Sequence, residues 1–115
     1  DDPSDHDDAL RAAALHAELG NAFGQGQALL RAATVSPLGD DAAGRAELLH
    51  EAHNLLRPFG PTKTLARCLS ATASACLLAG DVPQAQQWHR KALAIAKEIG
   101  ATGTQPADRG AAHFA

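Results

Sequence analysis

The stretch GDVPQAQQWHRKALAIAKEIG, from Gly80 to Gly100, constrains the fold most, because both ends of a helix and an apolar stripe are written into it. Asp81 is placed to cap a first turn, Pro83 sits where a missing N–H costs nothing, and Gln84 completes an Asp-x-x-Gln capping pattern. Lys91 and Lys97 lie late, where cations suit the helix dipole, and Gly100 is placed to close the helix in the left-handed conformation. Between these ends Ala85, Trp88, Ala92, Ile95 and Ile99 recur at steps of three and four, giving one apolar face. That face needs a partner. Ala85 and Ala92 let a second helix approach closely, and the preceding segment LARCLSATASACLLAG offers Leu65, Leu69, Ala73, Cys76 and Leu77 along one side. The two segments are expected to form an antiparallel hairpin through Gly80.

These residues resemble a known repeat. Ala73, Gly80-Asp81, Ala85 and Lys91-Ala92-Leu93 fall as in a tetratricopeptide (TPR) repeat over roughly 35 residues, while Cys76 and His89 stand where that pattern prefers aromatics. The start of the chain follows the same grammar. Pro3 answers Pro83, Ala12 answers Ala92, and Leu19-Gly20 answers Ile99-Gly100, each at an offset of 80 residues. Halving that offset lands on Phe59-Gly60, with Ala52 and Leu55 before it, so a period of about 40 residues is expected. The expected organisation is a second half-repeat over 1–20, repeats over 21–60 and 61–100, and a tail over 101–115. Repeats of that length, with long second helices ending in Leu-Gly or Ile-Gly, are similar to those of large bacterial transcriptional regulators of the antibiotic-regulatory and maltose-regulator-like groups.

The rest of the chain supplies three more helices. Residues 22–36 place Ala28, Leu29, Ala32, Ala33 and Val35 on one face, weakened at the start by Gly24 and Gly26. Pro37-Leu38-Gly39-Asp40 reads as a turn. Residues 41–57 bring Leu48, Leu49, Ala52, Leu55 and Leu56 together until Pro58 stops the helix, and Pro61-Thr62 begin the next, which runs to about Ala79. After Gly100, the glycines and proline of ATGTQPADRGAAHFA leave no apolar period for another helix. The fold class is therefore all-α: about five helices in antiparallel hairpins, stacked as a short TPR-like α-solenoid.

Composition excludes several function classes. With 45% hydrophobic residues but only three Phe, one Trp and no Tyr or Met, the core must be thin and helical. A net charge of −3 offers no broad basic surface for phosphate neutralisation, so direct nucleic-acid binding is not expected. No apolar run is long enough to cross a membrane, and DDPSDHDD is acidic where a secretory signal is basic and then apolar. Cys68 and Cys76 on one helix lie about 12 Å apart along its axis and cannot bridge, which suits a reducing cytoplasm.

Each chemical signal has a structural reading beside it. Asp2, Asp5, Asp7 and Asp8 resemble a cation site, but acids in a first turn are favoured by the helix dipole. Glu47, His50 and His53 form a Glu-x-x-His-x-x-His run that could offer metal ligands or support a hydrolytic site. Rotation at 100° per residue about a buried Ala52 instead puts Glu47, His50, Asn54 and Arg57 on a solvated face, with His53 on the flank. Cys76 and His89 could be imagined as thiol and base across the hairpin, yet Cys76 falls on the apolar side, and no orienting acid or oxyanion site is evident. Cys68 leans away from that side and is expected to be the more accessible thiol. Trp88 reads as a packing residue before a ligand platform. GQGQ at 24–27 lacks the strand and spacing of a dinucleotide fingerprint and has no Walker lysine.

What the resemblance implies is a surface function: a non-catalytic protein- or peptide-binding module, without cofactor, serving other domains of a longer regulator. First helices of successive TPR repeats line a concave groove, so Gln27, Leu30, Arg31 and Thr34 would face Arg67, Ser70, Ala71 and Ser74. Arg31 and Arg67 are then candidates to hold a carboxylate in two-point fashion. A third reading is a self-assembling unit, because repeat arrays without polar end caps expose open ends.

Overall fold

The computed structural model describes residues 3–35 and 42–102. It is all-α: α1 (Pro3–Glu18), α2 (Ala22–Thr34), α3 (Ala42–Leu56), a 3-10 turn (Arg57–Phe59), α4 (Lys63–Leu78) and α5 (Val82–Thr102), with no strand among the described residues. Each helix packs chiefly on its neighbours in sequence, α1 on α2, α2 on α3, α3 on α4 and α4 on α5, giving a short solenoid-like array. Among the described residues no helix is long and apolar enough to cross a membrane.

Two of the connections are the same device used twice. After α1, Gly20 N donates to Ala17 O and Asn21 N to His16 O; after α4, Gly80 N donates to Leu77 O and Asp81 N to Cys76 O. Both are Schellman closures, which need a left-handed residue, and Gly20 and Gly80 have φ of 73° and 85°. The next side chain then starts the following helix, since Asn21 Oδ1 accepts from Gly24 N at 3.0 Å and Asp81 Oδ1 from Gln84 N at 3.2 Å. Three residues thus end one helix and begin its antiparallel partner. Thr62 caps α4 in the same way, its hydroxyl accepting from Leu65 N at 3.1 Å.

The core is built of leucine and alanine. Leu49, Leu56 and Cys68 are fully buried, and Ala13, Ala28, Leu29, Leu30, Ala33, Ala52, Leu65, Leu69 and Ala92 complete the cluster. Such small side chains permit close helix approach, and Gly26 shows how close: a Cβ built there would lie 2.8 Å from Leu56 Cγ. Gly26 is therefore a packing residue where α2 meets α3, and α2 forms from Ala22 despite the two glycines. Phe23 and Phe59 meet edge to face at 5.1 Å, and His6 Nδ1 donates to Ala32 O at 2.8 Å, tying α1 to α2.

Several expectations are corrected. Gly100 does not close α5, which continues through it to Thr102 and so takes the first two residues of the expected tail. A glycine within a helix carries only a propensity cost of about 1 kcal/mol, so it stops a helix only where the following chain must turn. The helix expected to reach residue 57 ends at Leu56 and tightens into the 3-10 turn, because Pro58 has no N–H with which to continue the ladder. The helix expected to reach residue 36 ends at Thr34. The turn Pro37-Leu38-Gly39-Asp40 and the tail from residue 103 lie outside the described residues.

Cys68 is the largest correction, being fully buried rather than accessible. The helix bearing it packs against both α3 and α5, so its buried arc is wider than one stripe and rotates toward Leu65, Cys68 and Leu69. Leu77, expected on the buried face, is 58% exposed at the end of the helix. The Cys68 thiol donates to Leu49 O at 3.6 Å, a contact between α4 and α3.

Candidate functional site

The proposed groove residues are largely, but not all, on the surface. Gln27, Arg31 and Thr34 are exposed on α2, and Arg67, Ser70 and Ser74 on α4, but Leu30 is only 7% exposed and belongs to the core, while Ala71 is half-buried. Leu30 follows Leu29 by 100°, and packing of α2 against both α1 and α3 widens the buried arc enough to take both leucines. The Thr34 hydroxyl turns back to donate to Arg31 O at 3.0 Å. Arg31 and Arg67 are both exposed, on helices α2 and α4 that touch only slightly. Neither forms an ion pair among the described residues, whereas Arg11 lies 3.6 Å from Asp8.

On α3 the rotation argument holds. Glu47, His50, Asn54 and Arg57 (the last in the 3-10 turn) are exposed, and His53 is half-buried on the flank. Ala46, Glu47, His50, Glu51 and Asn54 line an open hollow of about 450 Å³. The Glu-x-x-His-x-x-His run is divided between two environments: His50 Nε2 accepts from Asn54 Nδ2 at 3.3 Å, while His53 turns across the array to Trp88 on α5. Among the described residues no three His, Cys, Asp or Glu side chains are grouped to hold a metal ion.

The junction of His53 with Trp88 is not visible in the sequence. The two rings lie edge to face with centroids 5.7 Å apart, and Lys91 Nζ stands 4.6 Å from the centroid of the same indole. Burial holds the His53 pKa below its ordinary value, and the nearby charges of Arg57, Lys91 and His50 lower it further. The three charges that lower it are all basic. The sequence signal is slight, because α3 and α5 are separated by a whole helix and only the flank position of His53 suggests that it looks sideways.

Neither thiol is prepared for nucleophilic work. Burial pushes the Cys68 pKa up to about 11, against a smaller opposing hydrogen bond from Thr72. Burial also raises Cys76, and the Asp81 carboxylate adds to the rise. An attacking cysteine needs the opposite shift. Cys76 is half-buried and His89 exposed. Of the acidic run near the start, Asp5 is half-buried, Asp7 and Asp8 are exposed, and Asp2 lies outside the described residues.

No protein-family model, curated protein or solved structure matches the chain. Its function must therefore be argued from its own surfaces.

Proposed function

We propose that this chain is a non-catalytic, TPR-like helical module that binds a protein or peptide, and that it serves as the interaction or sensor part of a cytoplasmic bacterial transcriptional regulator. The observation that carries the binding reading is the pair of exposed guanidinium groups, Arg31 on α2 and Arg67 on α4, neither of which forms an ion pair among the described residues. Exposed guanidinium forks are suited to two-point binding of carboxylates. The regulator context is supported by the sequence resemblance over the repeats.

An array of short peptides rich in Asp and Glu tests this reading directly. Wild-type protein is expected to retain a subset of spots, and Arg31→Ala or Arg67→Ala to weaken retention about fivefold, the effect of losing roughly 1 kcal/mol at a contact. Helicity by circular dichroism should not change. Equal retention by both variants would remove the groove from the proposal.

A further inference from the structure

The two outer helices of the array carry opposite charge. Helix α1 packs chiefly on α2 and α5 on α4, so each turns its remaining surface outward. Along α1 the acids Asp5, Asp7, Asp8 and Glu18 stand against Arg11 alone, while along α5 Arg90, Lys91 and Lys97 stand against Glu98 alone. One end of the array is therefore acidic and the other basic.

Each end also exposes apolar side chains in line with those charges. Asp8, Ala12, Leu15 and Leu19 follow at steps of four, three and four along α1 and its closing turn, and the two leucines are 57% and 70% exposed. This flank is of a kind the chain packs elsewhere: 80 residues on, Ala92, Ile95 and Ile99 hold the same register in α5 and are buried or half-buried. On the outer side of α5, Val82, Gln86, His89, Leu93 and Lys97 form a second stripe, with Val82 47% and Leu93 54% exposed.

Like ends do not suit each other, because acids meet acids across an α1–α1 contact and cations meet cations across an α5–α5 contact. Unlike ends do. Leu93 and Lys97 are four residues apart, about 6 Å along the axis, and Asp8 and Ala12 have the same spacing. With the two helices antiparallel, Lys97 comes level with Asp8 as Leu93 enters beside Ala12 and Leu15. Asp8 lies 3.6 Å from Arg11 within its own helix, but that pair is largely exposed, and such pairs contribute little.

We infer that the occupant of both faces is a second copy of this chain, bound head to tail with the acidic α1 of one copy against the basic α5 of the next. The contact is heterologous, so a dimer retains one free end of each sign and association continues beyond it. One helix laid on one helix does not reach the roughly 1,200 Å² of a stable interface, which makes the association weak and sensitive to salt. This contact goes beyond the peptide-binding reading and uses neither Arg31 nor Arg67.

Sedimentation of the 115-residue chain over a roughly hundredfold range of concentration, up to about 1 mM, tests the inference. The expected average mass rises with concentration, passes that of two chains, and falls back at high salt. Lys97→Glu and Asp8→Lys should each weaken association about tenfold. A mixture of those two variants should regain it, because every contact between them is either the original pair of charges or the exchanged pair. Leu15→Gln, on the exposed flank, should also weaken association, while Arg31→Ala and Arg67→Ala leave it unchanged. Circular dichroism confirms that each variant is folded. A monomer mass at every concentration overturns the inference, as does saturation at two chains, which indicates a closed dimer. Failure of the mixture to associate, or weakening by Arg31→Ala and Arg67→Ala equal to that by Lys97→Glu, overturns it as well.

Discussion

Replacing glycine by alanine should have opposite effects at two helical positions of this chain. At Gly26 the added methyl would lie 2.8 Å from Leu56 Cγ, 2.9 Å from Leu56 Cδ2 and 3.3 Å from Leu55 Cβ. Leu56 is fully buried and has no free direction in which to swing, so α2 and α3 must separate. Overpacking of this kind costs about 1–3 kcal/mol, against which alanine returns about 1 kcal/mol of helix propensity. The net expectation is a loss of about 1 kcal/mol. At Gly100 nothing lies within 4 Å of the built Cβ and the residue is helical, so the propensity gain stands alone, reduced by its place near the end of α5. Urea unfolding followed by circular dichroism at 222 nm measures both, and in a domain of this size 1 kcal/mol shifts the melting temperature by about 4–8 °C. Gly26→Ala should melt lower than the parent and Gly100→Ala slightly higher. If Gly26→Ala stabilises the protein as much as Gly100→Ala does, the claim that this glycine sets the approach of α2 to α3 is wrong.

Two further outcomes concern titrating groups. With a disulfide reagent at pH 8, Cys76 should react first and Cys68 only on unfolding, since Cys68 is fully buried and its pKa is pushed up to about 11. Cys76→Ser should abolish the early equivalent; equal rates for both thiols in the native protein would refute the burial argument. Burial, then Arg57, Lys91 and His50, hold the folded pKa of His53 below its unfolded value near 6.5, so the unfolded chain takes up its proton first as pH falls. Stability from this group is full above pH 6.5 and declines below it until the folded pKa is passed. The stability difference between wild type and His53→Gln, measured at pH 7.5 and pH 5, should therefore move against the wild type at the lower pH, and a difference independent of pH would contradict the assignment.

The candidate site was only half legible. Rotation about Ala52 placed Glu47, His50, Asn54 and Arg57 on the surface correctly, and so put His53 on the flank. Nothing local could add that the flank faces Trp88, because that contact joins helices separated in sequence by all of α4. Arg57 and Lys91 were visible as charges, but that neither forms an ion pair among the described residues is a property of the assembled array.

The sequence by itself determined where most helices begin and which connections are tight. Asp81, Thr62 and Gly80 act on backbone groups within one turn of themselves, so a short stretch of residues contains the whole interaction. Tertiary structure decided how much of each helix is buried. Leu30 and Cys68 are covered because α2 and α4 each lie between two neighbours, and Gly26 is needed because one of those neighbours comes within reach of a missing methyl. Burial depends on how many surfaces converge on a side chain, and that is fixed only when the helices stack.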